Sequence, residues 1–225
     1  MKSWIIAALF TVSHLDLMPF ECCAQETLSS EEQAAGFVSL FDGTSLTGWQ
    51  GATDGYTVVD GAIQCLPGKG GNLLTEKEFG DFELRMEFRL PPGGNNGVGL
   101  RAPAQGHVAT EGIEIQILDN TAEKYKTLAP YQYHGSVYGL IPAKRGYLRE
   151  VGAWNDQTIR LVGRKITITL NGETIVDGDL DEALKNGAMD GKDHPGAKRT
   201  TGRVGFLGHN DPVAFRKIRI REIRP

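Results

Sequence analysis

Polar and apolar residues alternate most regularly in the segment FELRMEFRL, residues 82–90. Phe82 and every second residue as far as Leu90 are apolar, and each residue between them is charged. A period of two residues is typical of a strand with one buried face and one solvated face. The pattern therefore predicts a half-buried strand over residues 82–90.

The segment GIEIQILDN, residues 112–120, has the same period but a different polar content. Its three isoleucines share one face of the predicted strand, and Glu114 and Gln116 share the other. Asp119 follows Glu114 by five positions, an odd offset that points it away unless a bulge re-phases the strand or the strand ends there. We interpret the isoleucine face as core and the Glu114 face as a candidate site.

Turn signals divide the rest of the chain into short strands. Asp60-Gly61 and Asn171-Gly172 each separate two β-rich runs by the two residues of a tight hairpin. Residues 67–72, PGKGGN, are interpreted as a loop, and residues 179–186 as the only helix, with Asp179 as its N-cap. Further strands are predicted over residues 98–102, 157–162, 165–170, 174–176, 203–207 and 215–220.

These elements predict an all-β fold, an antiparallel two-sheet sandwich. In the strand over residues 98–102, alternation turns Val98 and Leu100 inward and Arg101 outward. Residues 131–141, YQYHGSVYGLI, are too aromatic and too interrupted for an ordinary strand. Two interpretations stay open for them: the rim of a sugar-sized cleft, or a loop packed over a sheet edge.

Composition agrees with a globular β protein. The chain has 225 residues, 40% of them apolar and 23% charged, and its 29 glycines indicate many turns. The net charge of −4 attracts no polyanion, so we expect no nucleic-acid partner. Isoleucines alternate with the basic residues between 216 and 221, so this tract is interpreted as a solvated strand face.

The N-terminus has the three parts of a secretory signal: Lys2, an apolar run over residues 4–12, and the small residues that end at Ala24. The run is too short to span a bilayer, so no transmembrane segment is expected in the mature chain. We predict a signal peptide over residues 1–24 and export to the periplasm or the extracellular space.

The alternative for the leader is a lipoprotein anchor on Cys22 or Cys23, for which Glu21 is a poor preceding residue. After processing, a short polar segment over residues 25–35 leads into a single domain over residues 36–225. Only Cys65 then remains, so no disulfide can form within the mature chain.

Strong catalytic and metal motifs are absent from the sequence. It contains no CxxC pair, no HExxH, no EF-hand loop and no GxSxG. A metal site assembled from distant residues stays open, and so does a simple set of cross-strand ion pairs on the polar face that holds Glu114 and Gln116. His134 and His209 each lie beside a glycine, where turn roles compete with catalytic ones.

The order of several separated motifs resembles the 3-keto-disaccharide hydrolase domain family, of the concanavalin A-like lectin and glucanase superfamily. The resemblance runs from about residue 36 to residue 223. The motifs are Leu40-Phe41-Asp42-Gly43, Gly48-Trp49, Phe82-Glu83-Leu84, Asn96-Gly97, Leu100-Arg101, Gly112-x-Glu114-x-Gln116-x-x-Asp119, Gly135-x-x-Tyr138-Gly139, Trp154-Asn155, Asn171-Gly172, Gly202-Arg203-Val204-Gly205, His209, and Val213-x-Phe215-Arg216-x-Ile218.

This resemblance implies a jelly-roll sandwich whose concave sheet holds a sugar. It also implies that Arg101, Glu114, Gln116 and Asp119 line the cleft. Related β-glucanases carry Glu-x-Asp-x-x-Glu on the equivalent strand, whereas this chain has an amide at the middle position and Asp at the last. That departure disfavours the retaining mechanism with two carboxylates.

A 3-keto sugar offers a different reaction, because a carbonyl at C3 acidifies the proton on C2. Loss of that proton allows the glycosidic oxygen to leave from C1 by elimination. We therefore assign Glu114 as the base, Arg101 or a divalent cation as the enolate stabiliser, and Asp119 or His134 as the acid.

In the same hypothesis Gln116 orients the substrate, and Tyr138 and His209 bind it. The expected partner is a carbohydrate, with the disaccharide, its linkage and the oligomeric state left open. Two alternatives are a non-catalytic carbohydrate-binding module or lectin, and an ordinary glycoside hydrolase.

Overall fold

The computed structural model describes residues 28–224. The predicted signal peptide and the two candidate anchor cysteines lie outside this range, so they stay predictions, as does the single-domain assignment. Within residues 28–224 the strands are β1 (Val38–Ser39), β2 (Trp49–Gly51), β3 (Tyr56–Val59), β4 (Ala62–Cys65), β5 (Gly70–Thr75), β6 (Phe82–Arg89), β7 (Asn95–Ala102), β8 (Ile113–Leu118), β9 (Trp154–Val162), β10 (Lys165–Leu170), β11 (Glu173–Asp179), β12 (Arg203–His209) and β13 (Ala214–Glu222). The α-helices in the same range are α1 (Ser30–Ala34), α2 (Val108–Glu111) and α3 (Leu180–Leu184).

The strands form two antiparallel sheets. The larger has the order β11-β10-β9-β6-β13-β4-β3, with β1 paired to β13, and the smaller has the order β2-β5-β12-β7-β8. Buried apolar side chains from both sheets join in one main core cluster. The predicted antiparallel two-sheet sandwich is confirmed.

Strand β6 confirms the strongest alternating pattern. Phe82 and Phe88 on its apolar face are fully buried in the core. On its other face Glu83 pairs with Arg221 at 2.6 Å, and Glu87 pairs with Lys217 at 2.8 Å. The basic tract on β13 is therefore a strand face of ion pairs, whose carboxylates are largely covered and whose basic groups reach the solvent.

Local turn chemistry also behaves as the sequence predicts. Asp60 and Gly61 have φ values of 49° and 72°, and Asn171 and Gly172 have 50° and 92°, the paired positive angles of two-residue hairpin turns. The carboxylate of Asp179 accepts hydrogen bonds from the first turn of α3, as expected of an N-cap. The prediction of a single helix is wrong, because the described residues also form α1 and α2, whose four or five residues are too few to show a helical period.

The prediction of a loop over residues 67–72 is partly wrong, because β5 begins at Gly70. A Cβ on Gly70 would lie 2.6 Å from the carbonyl oxygen of Gly208 on the paired strand β12. Glycine here permits close approach of two strands.

The aromatic segment over residues 131–141 runs along the free edge of β8. Gly135 donates a backbone hydrogen bond to Gln116 at 2.8 Å, and Tyr138 donates one to Glu114 at 2.9 Å. The segment therefore covers an edge that would otherwise expose unpaired backbone groups.

Across residues 28–224, the helices are all too short or too polar to cross a bilayer.

Candidate functional site

A cavity of about 220 Å³ opens on the outer face of the smaller sheet. Strand β8 supplies its floor, the segment before α2 and the end of β12 supply one side, and the aromatic segment supplies the other. The cavity is lined by Asn95, His107, Ala109, Glu114, Gln116, Leu118, Tyr125, Leu128, Gln132, Tyr138, Lys192 and His209. Four of the sequence-predicted site residues are among them: Glu114, Gln116, Tyr138 and His209.

Strand pairing gives the Glu114 side chain its room. Glu114 lies opposite Gly99 and Gln116 lies opposite Gly97 on the neighbouring strand β7. A Cβ on Gly97 would overlap the carboxylate of Glu114, so this carboxylate lies across the bare backbone of the glycine. The Glu114 carboxylate is thereby held low on the sheet, away from bulk water.

Burial without a charge partner changes the acidity of Glu114. Glu114 is only 6% exposed, and within residues 28–224 burial is the one effect that acts on its acidity, with no charged partner and no hydrogen-bond donor to its carboxylate. Desolvation raises the pKa of Glu114 to about 7. A carboxylate of this kind can take up a proton near neutral pH, as a general base must. The simple interpretation as a cross-strand ion pair is wrong for this residue.

Hydrogen bonds hold the neighbouring polar groups in place. The amide of Gln116 donates to Oδ1 of Asn95 at 2.7 Å, and the amide of Gln132 donates to the hydroxyl of Tyr138 at 3.1 Å. The ring of Tyr138 also meets Tyr131 edge to face, with centroids 5.8 Å apart. Both interpretations of the aromatic segment therefore hold, since the segment covers the sheet edge and also forms one rim of the cavity.

Two histidines face the cavity from its other side. His209 ends β12 and His107 immediately precedes α2. Desolvation and the nearby His107 lower the pKa of His209 against the opposing effect of Asp211. His209 is therefore neutral near pH 7, with one ring nitrogen able to donate and the other to accept.

Arg101 does not line the cavity, which corrects its expected place beside Glu114. Its side chain is 1% exposed and lies in the interior. The guanidinium donates to the carbonyl oxygens of Gly80, Gly163 and Arg199 at 3.1, 2.9 and 2.9 Å, and to Asp81 Oδ1 at 2.9 Å. Arg101 ties together four chain segments, so the outward orientation predicted from strand alternation is also wrong.

Asp119 is likewise placed away from Glu114. Strand β8 ends at Leu118 and pairs with β7 in unbroken register, so no bulge brings the two carboxylates together. The Asp119 carboxylate accepts from the backbone of Gly93 at 2.8 Å and from the hydroxyl of Thr121 at 2.6 Å. Burial opposes ionisation, but these hydrogen bonds outweigh it and lower the pKa of Asp119. Asp119 therefore organises a turn, and near neutral pH it is ionised and has no proton to donate.

His134 is a core residue, which corrects its expected place at the site. Its ring packs on Phe88 with centroids 4.9 Å apart, and its Nδ1 accepts from the backbone of Leu118 at 3.3 Å. Complete burial lowers the pKa of His134 to about 3. The ring is thus neutral and sealed from any substrate in the cavity.

The sequence did not identify Asn95, His107, Gln132 or Lys192 as site residues, although all of them line the cavity. These residues lie in loops or at strand ends, where no periodic pattern marks them. Among residues 28–224, no three His, Cys, Asp or Glu side chains converge as metal ligands. A divalent cation stays a prediction.

The family model that matches this chain is described as a 3-keto-alpha-glucoside-1,2-lyase-like domain, and it covers residues 36–221. A curated relative from Bacteroides thetaiotaomicron, named 3-keto-disaccharide hydrolase, is 27% identical over 236 residues, which span 87% of this chain and 81% of the relative.

Solved structures support the fold. A candidate glycosyl hydrolase from Parabacteroides distasonis has a TM-score of 0.77 at 24% identity, over 88% of this chain and 99% of its own. A Bacillus subtilis protein with a galectin-like fold has a TM-score of 0.51 at 10% identity, over 79% of this chain and 88% of its own. These likenesses confirm the predicted sandwich as one of the galectin-like and concanavalin-like type.

Proposed function

Because this chain belongs to the 3-keto-alpha-glucoside-1,2-lyase-like domain family, we propose that it cleaves the glycosidic bond of 3-keto-disaccharides or related 3-keto-glycosides. The observation that carries the proposal is the buried, unpaired carboxylate of Glu114 on the cavity floor. The name of the Bacteroides relative supports the same substrate class.

Glu114 is the base that removes the proton from C2 of the 3-keto ring. The electron pair of the broken C2–H bond moves onto the C3 oxygen as an enolate. Since the pKa of Glu114 is raised to about 7 by burial, the carboxylate is basic enough for this step and is still ionised in part at neutral pH.

Elimination and hydration complete the reaction. When the C3 carbonyl re-forms, a double bond forms between C1 and C2, and the C1–O bond to the leaving sugar breaks. The hydroxyl of a water molecule then adds to C1, and protonated Glu114 gives a proton back to C2. The sum of these steps is hydrolysis, and no nucleophilic carboxylate is needed.

Protonation of the leaving oxygen falls to the two imidazoles of the cavity, since Asp119 and His134 lie elsewhere. His107 and His209 both line the cavity, on the side opposite the Tyr138 rim. An imidazole N–H can pass its proton to the leaving oxygen, and the ring takes a proton back from the water whose hydroxyl adds to C1. Gln116, fixed by Asn95, orients a ring hydroxyl.

The dimensions of the cavity suit one sugar ring. Its volume of about 220 Å³ is below the roughly 300–1,000 Å³ typical of pockets for larger ligands. The 3-keto ring therefore occupies the cavity, and the leaving sugar lies at its open mouth.

The proposal is tested by incubating the chain with trehalose and with 3-keto-trehalose and measuring the released monosaccharides. We expect cleavage of the 3-keto sugar and none of trehalose, because only a C3 carbonyl acidifies C2. Cleavage of both sugars would show an ordinary glycoside hydrolase. Binding without cleavage of either would show a carbohydrate-binding module.

A further inference from the structure

With Arg101 in the interior, the cavity needs another cation near the developing enolate. Lys192 is the one lysine or arginine among the residues that line the cavity in the described part of the chain. Its side chain is exposed, and its charge helps to lower the pKa of the nearby Asp190. The ammonium group is thus available to an oxygen anion in the cavity.

Lys192 lies in a segment that an internal pair keeps in shape. The imidazole Nε2 of His194 lies 3.0 and 3.2 Å from the two carboxylate oxygens of Asp190. The same carboxylate accepts the backbone N–H of Lys192 at 3.0 Å. The side chains of His194 and Asp190 are only 1% and 6% exposed, so the pair is buried although it lies in a loop.

The His194–Asp190 pair is docked against the cavity wall. A Cβ on Gly139 would lie 2.7 Å from Nε2 of His194 and 2.9 Å from the Asp190 carboxylate, so only glycine leaves room for the pair. The backbone N–H of Met189 also donates to the carbonyl of Gly139 at 2.7 Å. Gly139 directly follows Tyr138, whose backbone N–H donates a hydrogen bond to the carbonyl of Glu114. The His194–Asp190 pair therefore packs on the residue next to the cavity rim.

A second contact fixes the end of the segment. Gly196 packs so closely on the backbone of Glu111 and Gly112 that a Cβ would overlap both. Glu111 ends α2 and Gly112 precedes β8, the strand that carries Glu114. The segment around Lys192 is therefore held on both sides by elements that build the cavity.

We propose that the Asp190–His194 pair is a positioning device that holds Lys192 over the cavity, and that Lys192 stabilises the C3 oxygen anion formed when Glu114 removes the C2 proton. This inference rests on the proposed function. An ammonium group placed where negative charge develops, and fixed before the reaction, lowers the barrier more than one that must be ordered during it. A purely structural pair would fold the loop and leave the anion unaffected.

The test is a double-mutant cycle with 3-keto-trehalose, using Lys192→Met, His194→Ala and the combination. We expect Lys192→Met to lower kcat by about 10²-fold, the scale of one lost oxyanion contact, with a smaller change in KM. His194→Ala should lower kcat in the same manner, and the double variant should be no worse than Lys192→Met. Lys198→Met, an exposed lysine of the same segment outside the cavity lining, is the matched control and should leave kcat unchanged.

His194→Gln provides the conservative rescue, because its amide can donate to Asp190. We expect it to recover most of the kcat lost in His194→Ala. Additive losses in the double variant, or wild-type kcat in Lys192→Met, would overturn the positioning proposal while leaving the proposed function intact. A wild-type chain that cleaves no 3-keto sugar would overturn both. Circular dichroism of each variant checks that the fold is retained.

Discussion

A Glu114→Gln variant is expected to lose about 10²–10⁴-fold in kcat on a 3-keto-disaccharide, the range that a general base contributes. Glutamine keeps the size of the side chain and its place over Gly97, but it cannot accept the C2 proton. Single-turnover rates of wild type and variant measure the loss. Glu87→Gln, on the outer face of the other sheet, is the matched control and should keep wild-type kcat.

The same variant has a predicted effect on folding. In the folded state burial raises the pKa of Glu114 to about 7 from its ordinary value of 4.5. The stability that this shift gives is complete below pH 4.5 and is lost as pH rises through 7. Glu114→Gln should therefore match wild type near pH 4 and exceed it by up to about 3 kcal/mol at pH 8.

Urea unfolding at both pH values measures the difference in the free energy of unfolding. Wild-type kcat/KM should rise with pH through about 7 as the carboxylate of Glu114 ionises. An active Glu114→Gln enzyme would remove the assigned base. Equal stability of the two proteins at pH 8 would contradict the burial of an unpaired carboxylate.

Replacing Arg101 by methionine is expected to destabilise the fold by about 3–5 kcal/mol, because three backbone acceptors lose their donor at about 1–3 kcal/mol each. The loss strands the carbonyl oxygens of Gly80, Gly163 and Arg199 in the interior without their donor. Thermal unfolding of Arg101→Met against wild type measures the effect as a lowered Tm.

Arg160→Met is the matched control, because Arg160 is an exposed arginine on β9 and its loss should leave the Tm nearly unchanged. The kcat of the folded Arg101→Met fraction should stay close to that of wild type, since Arg101 lies outside the cavity. A wild-type Tm together with lost activity would instead restore Arg101 to the role first assigned from the sequence.

The strands could be predicted where a few neighbouring residues are enough to define them. In β6 and β8 the side-chain period alone identifies the buried face, and at Asp60-Gly61 the turn residues alone define the hairpin. The polar face of β8 that holds Glu114 and Gln116 follows from the same period. Long-range structure then decides whether such a face opens into a cavity.

Arg101 shows why the period fails at particular residues. Its φ is 45°, and the pairing of β7 with β12 shifts register between Arg203 and Gly205. Such an irregularity turns a side chain to the other face, and nothing in the sequence around Arg101 marks it. Asp119 fails for a related reason, because the strand ends one residue before it.

The cavity residues that sequence reasoning missed come from loops. His107 and Lys192 lie far from β8 in sequence and reach the site only through tertiary packing. Gly139 and Gly196 make the close contacts that allow this packing, but the sequence does not reveal which groups a glycine will approach.

The central claim is that Glu114 removes a proton from C2 of a 3-keto ring. Hydrolysis of 3-keto-trehalose in deuterated water, followed by nuclear magnetic resonance of the released 3-keto sugar, tests it directly. Elimination and hydration predict deuterium at C2 of the product formed by wild type, and a Glu114→Gln variant should form almost none of that product. A released sugar that carries only hydrogen at C2 would contradict the mechanism, in which the proton taken up by Glu114 exchanges with solvent deuterium before C2 is protonated again.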